Sequence, residues 1–173
     1  MHQRFSRVLA VALATATLIA GSAMSAAAQG AGACPFASDA VITQVLGPSA
    51  HAQALPSGAL CVIMGVGDSQ IVITHVTNAF PDGVASTPDQ LLNSMQPGAV
   101  QGPLGSAQFT PIAGLGDVAT FLSSTDNTSG RSGATLVVQS GTDLFTFVMA
   151  NPPSNAQDLL TGLAQAVLAT PSQ

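Results

Sequence analysis

The strongest constraint on the fold lies between Ile112 and Met149, where Val, Phe, Leu and Thr gather between clear turn signals. The head of this stretch, Gly114-Leu115-Gly116-Asp117, opens into Val118-Ala119-Thr120-Phe121-Leu122. A polar loop, Ser123 to Gly133, separates it from two further β-rich runs, Thr135 to Gln139 and Leu144 to Met149. Such a density of β-branched and aromatic residues predicts the principal sheet. In the last run Phe145, Phe147 and Met149 share one face, and Leu144, Thr146 and Val148 share the other. Both faces are therefore partly apolar, which requires either a cover on each side or a binding surface on one.

The rest of the chain supplies helices and a hairpin. Ser38 is a good cap for a short helix whose stripe is Val41, Ile42, Val45 and Leu46, ended by Gly47-Pro48. Leu60 to Val66 and Gln70 to Asn78 predict two strands around the turn Gly67-Asp68-Ser69. Thr87, Pro88 and Gln90 form a capping box for a second helix carrying Leu91, Leu92 and Met95. The last helix starts at Ser154 and buries Leu159, Leu160, Leu163, Val167 and Leu168 before Pro171. Ser49 to Gly58 and Gln96 to Pro111 are expected to be loops. Neighbouring strands joined by tight turns pair antiparallel. The expected fold is thus a two-layer α+β domain, an antiparallel sheet of about five strands with about three helices packed on it.

The N-terminus sets the compartment. Residues 1–7 carry Arg4 and Arg7 and no acid, Val8 to Ala20 is almost wholly apolar, and Ala26-Ala27-Ala28 fits a small-residue cleavage site. This reads as a cleaved secretory signal peptide over 1–28, leaving one domain over 29–173. The apolar core is short for a membrane span, which needs about 20 apolar residues. After cleavage only Arg131 stands against eight aspartates, a net charge of −7 with histidine neutral. One arginine cannot neutralise several phosphates, so nucleic acid is excluded as a partner. Electrostatic adhesion to anionic lipid is excluded for the same reason.

Cys34 and Cys61 are the only cysteines. In a secreted chain an even pair predicts a disulfide, here one that staples the first helix to the start of the hairpin. The rival reading makes Cys34 a lipidated cysteine and so a membrane tether. Ala31-Gly32-Ala33 lacks the leucine usual three places before such a site, and Cys61 would be left as an odd thiol.

Chemistry-bearing patterns are sparse. His75 sits on a strand face with Ile71, Ile73 and Thr77, where a histidine hydrogen-bonded at the core edge is the ordinary reading. No His pair at helical spacing and no calcium-loop pattern occurs, so no metal and no other cofactor is expected. Gly130-Arg131-Ser132-Gly133 lacks the spacing of a nucleophile elbow. Gly114 to Asp117 lacks the lysine and following helix of a phosphate cradle, leaving a turn in which Asp117 bonds nearby backbone. No catalytic residue is assigned.

The cysteine before a short helix ending in Leu46-Gly47 and the second cysteine opening a strand form one pattern with three later motifs. These are Gly114-Leu115-Gly116-Asp117-Val118-Ala119, Leu136-Val137-Val138 and the closing Leu163-Ala164-Gln165-Ala166-Val167-Leu168. Together they resemble small actinobacterial cell-envelope proteins and lipoproteins of unknown function. The resemblance implies an extracellular or envelope location and a binding or accessory role, and it transfers no catalytic residue. The expected function is a secreted, non-catalytic module that binds another protein or an envelope component. The alternative is a carrier of a small apolar ligand held between sheet and helices, lined by Phe109, Phe121, Phe145 and Phe147. A hydrolase using His75 is a third reading. Phe121, Phe145, Phe147 and His75 are therefore the candidate surface residues.

Overall fold

A computed structural model describes residues 34–55, 59–80, 87–94, 108–125 and 132–170. The expected leader over 1–28, the loop residues Asp126 and Arg131, and Asp82 lie outside the described residues. The elements run α1 (Asp39–Leu46), β1 (His51–Ala54), β2 (Leu60–Val66), β3 (Ser69–Val76), α2 (Pro88–Ser94) and β4 (Gln108–Pro111). They continue with β5 (Val118–Thr125), β6 (Ser132–Ser140), β7 (Asp143–Ala150) and α3 (Ala156–Leu168).

The sheet has seven antiparallel strands in the order β1-β2-β3-β7-β6-β5-β4. The expectation of about five strands is corrected by two short edge strands. The segments His51-Ala52-Gln53-Ala54 and Gln108-Phe109-Thr110-Pro111 carry almost no β-branched residues, and both were expected to be loops. Their conformation comes from pairing with β2 and β5, not from their own propensity.

Local signals match the helix starts unevenly. Ser38 Oγ accepts the Val41 N–H at 3.4 Å and Thr87 Oγ1 accepts the Gln90 N–H at 3.3 Å, as the capping patterns require. At α3 the cap is Asn155, with no side-chain bond, so the helix starts later than expected from Ser154. Gly116, at φ +59°, is held so close that a Cβ there would collide with the Gln139 carbonyl. The Asp117 N–H bonds that same carbonyl at 2.8 Å, and Asp117 Oδ2 accepts the Gly141 N–H at 2.6 Å. The glycine-rich head of the long stretch is thus a turn locked onto the β6–β7 turn.

The three helices do not share one face. Ile42 of α1 and Leu160, Leu163, Ala164 and Val167 of α3 cluster with Cys61, Ile63, Ile71, Ile73, Leu136, Val138, Phe147 and Met149. The Gly162 position of α3 faces Val45 of α1, where the two helices meet. Leu91 of α2 instead joins Val118, Val137 and Leu144 on the opposite face. The Cys34–Cys61 disulfide, with Cα atoms 5.8 Å apart, ties the segment before α1 to β2. Cys34 is consequently not available for lipidation, and the bond is consistent with an oxidising compartment. Among the described residues, no helix is long and apolar enough to cross a membrane.

Closing a loop with a sequence separation of 27 confines the unfolded chain. Replacing Cys34 and Cys61 together by alanine is expected to cost about 3–4 kcal/mol, read from urea unfolding of the two proteins.

Candidate functional site

Two places gather polar or exposed groups that the core does not require. The first surrounds His75. Pairing of β3 with β7 sets His75 opposite Phe145, and Val76 opposite Leu144, so the start of β7 lies beside the end of β3. His75 Nε2 is 3.0 Å from Asp143 Oδ2, with the two side chains 16% and 33% exposed. Asp143 Oδ1 accepts the N–H of Asn78 at 2.9 Å, a residue in the left-handed region at φ 52°. The imidazole stacks on Phe145, with centroids 4.2 Å apart, and meets the edge of Phe36 at 5.7 Å.

Burial pushes the Asp143 carboxyl up, but the Asn78 N–H, the His75 ring and the Thr142 hydroxyl outweigh it and hold the group below its ordinary value. This carboxylate fastens the ring on one side and the chain leaving β3 on the other. The described residues bring no hydroxyl or thiol into hydrogen bonding with His75, whose ring lies against Phe145 and the edge of Phe36. No group of three or more His, Cys, Asp and Glu that could hold a metal occurs among the described residues.

The second place is the sheet face opposite α1 and α3. Register lines up Gln53, Val62, Val72, Val148, Thr135, Leu122 and Phe109 in one row across all seven strands. Beside it runs Leu60, Thr74, Thr146, Val137, Thr120 and Pro111. α2 covers the end of this face where Val118, Val137 and Leu144 are buried with Leu91. Val62, Val72, Thr74, Thr135, Thr146 and Val148 remain partly exposed. Phe109 (41% exposed) and Leu55 (39%) stand at its two margins, on β4 and just after β1. Among the described strand residues directed to this face none is an acid, lysine or arginine.

The fully buried Thr120 lies at the edge of the covered part, and its Oγ1 has no hydrogen-bond partner among the described residues. Leaving a hydroxyl so placed is unfavourable by about 1–3 kcal/mol.

The candidate residues divide between the two faces. Phe121, Phe145 and Phe147 lie with His75 on the helix-covered side and are buried there, Phe147 completely. Phe109 alone among the four phenylalanines reaches solvent, and it does so on the other face. Sequence reasoning did not find Asp143 as the partner of His75 across a separation of 68 residues, nor Thr120. Comparison with protein-family models, with curated proteins and with solved structures returned no match for this chain.

Two outcomes test this geometry. Because the folded Asp143 carboxyl titrates below the unfolded one, its contribution is complete above about pH 4 and is lost as pH falls through the folded value. Asp143→Ala is expected to destabilise by about 1–2 kcal/mol at neutral pH, with the gap from the parent closing on acidification. Urea midpoints measured between pH 7 and pH 2 check both parts. Thr120→Val, which removes the orphan hydroxyl at constant shape, is expected to stabilise by about 1 kcal/mol in the same assay.

Proposed function

We propose that this chain is a secreted or envelope-associated binding module, without catalytic activity, that engages a protein partner through the sheet face opposite α1 and α3. The observation that carries this reading is the uncharged, partly exposed Val and Thr surface bordered by Leu55 and Phe109. Contiguous apolar surface on a soluble domain is the mark of an interaction site. The six described aspartates lie off this face, at turns, in helices or at the start of β7.

Composition narrows the partner. The only basic residue outside the leader is Arg131, so an anionic wall polymer has almost nothing to bind. The chain has no Trp or Tyr, the residues on which sugar rings stack while their polar tips stay wet. A protein surface that is itself apolar and neutral fits what is left, since methyl and hydroxyl groups contribute contact area and shape without a charge to match.

The other readings gain no specific support. For a carrier, the phenylalanines between sheet and helices are packed into one buried cluster with their neighbours. For a hydrolase, His75 has a carboxylate beside it and no nucleophile bonded to it among the described residues.

Placing a carboxylate in the middle of the face should separate folding from binding. Val72→Asp and Val148→Asp are expected to weaken capture of the partner by about tenfold or more, because the charge would be desolvated without a counter-ion. A control Gln44→Asp on the exposed side of α1 should leave capture unchanged. Cross-linking in the cells that make the protein, followed by mass spectrometry, reads the result. Equal capture by all three variants would remove this face from the reading.

A further inference from the structure

The two edges of the sheet are not alike. On β1 the Leu55 N–H bonds the Leu60 carbonyl at 2.9 Å. Antiparallel alternation then directs the backbone groups of Gln53 and His51 toward β2 and those of Ala52 and Ala54 away from it. Among the described residues these two N–H and two C=O groups have no partner. On β4 the Ile112 N–H bonds the Ala119 carbonyl at 3.0 Å, so Phe109 and Pro111 turn outwards. Pro111 has no N–H to offer, and proline is one of the ordinary devices that blunt an exposed edge. β1 shares only its shortness with β4: it has no proline, no lysine, no acid and no irregularity in its pairing.

We propose that β1 is a self-association edge, at which two copies of this chain pair antiparallel about a two-fold axis through Gln53 and join their sheets into one. The register follows from the free groups. With Ala52 opposite Ala54 of the second copy, and Ala54 opposite Ala52, each outward pair exchanges both bonds, and four interchain hydrogen bonds form. Sliding the strands by two residues in either direction leaves only one such pair. The side chains agree with this register. Ala52 and Ala54 point to the helix side with minimal bulk, packed partly against the core. The two Gln53 residues meet at the axis as a non-hydrogen-bonded pair, where Cα atoms approach to about 4.5 Å and the amides can bond one another. Leu55 stands opposite His51 of the second copy, both exposed on the open face, so each covers the other.

No acid lies in the strand, so the repulsion between two acidic chains is not concentrated at the contact. The arrangement is isologous and closes on itself, which limits it to a dimer. It would also make the row Gln53, Val62, Val72, Val148 continuous with its copy, doubling the open face. The proposal does not depend on what that face binds.

A four-residue edge is small beside a standard interface, so the dimer is expected to be concentration-dependent. Sedimentation of the protein purified from its own cells, from about 1 µM to about 1 mM, should show a monomer–dimer equilibrium within the range in which weak specific contacts fall. Ala54→Pro removes an outward N–H, and with it two of the four bonds, without touching the β1–β2 ladder. It is expected to weaken dimerisation by about tenfold or more at an unchanged thermal midpoint. Gln53→Cys should yield a covalent dimer on mild oxidation at concentrations where the equilibrium dimer is populated. A chain that stays monomeric throughout overturns the proposal, as does a dimer that Ala54→Pro leaves intact. Failure of Gln53→Cys to cross-link an existing dimer overturns it as well.

Discussion

Everything in this structure hangs on one pairing, β3 with β7. The strands β1, β2 and β3 arise early in the chain, and β7, β6, β5 and β4 later; without this seam they would be two separate ribbons. Its register runs unbroken from Gln70 opposite Ala150 to Val76 opposite Leu144. Side chains clasp it at both ends. Ser69 Oγ donates to the Asn151 carbonyl at 2.7 Å, and His75 meets Asp143 at 3.0 Å. Because the seam joins distant segments, loop-closure entropy must be overcome before its contacts contribute. The disulfide acts on the same side of the problem, holding the segment before α1 against β2 and so reducing the freedom of the half that has to find β7.

The seam also decides how the two faces are used. One face receives α1 and α3, whose buried residues meet the isoleucines of β2 and β3 and the aromatic residues of β7 in a single cluster. Among the described residues the other receives only α2, seven residues long and with Leu91 as its buried anchor, over the start of β7 and β5. A face covered over part of its extent leaves methyl and hydroxyl groups in water, which folding alone gives no reason to keep free of charge. That asymmetry, and the buried hydroxyl of Thr120 at its boundary, is why the functional reading rests on this face and not on His75. The histidine cluster has a sufficient structural task, since Asp143 ties β3, β7 and the chain leaving β3 at Asn78.

Much of this was legible beforehand, and the part that was not has a physical pattern. The apolar alternation of β7, the stripe of α3, the capping of α1 and α2, and the Cys34–Cys61 pair all appear in the structure where local rules place them. So does the turn at Gly114 to Asp117, where positive backbone angles are needed and Asp117 bonds backbone. The two edge strands were missed because segments such as His51 to Ala54 have little intrinsic β preference and take their shape from a neighbour. Phe145, Phe147 and Met149 share one face as alternation predicts, but alternation cannot say which face the helices will choose.

The sequence by itself determined the class of fold, the elements with strong periodicity, the crosslink, and a formal net charge of −5. These are properties of short windows and of totals, and need no knowledge of what meets what. The tertiary structure alone decided that α2 lies opposite the other helices, that His75 finds Asp143 sixty-eight positions away, and that β1 ends the sheet with no further strand beside it among the described residues. Each of those depends on strand order, and strand order is set by a competition among distant pairings that no local pattern encodes.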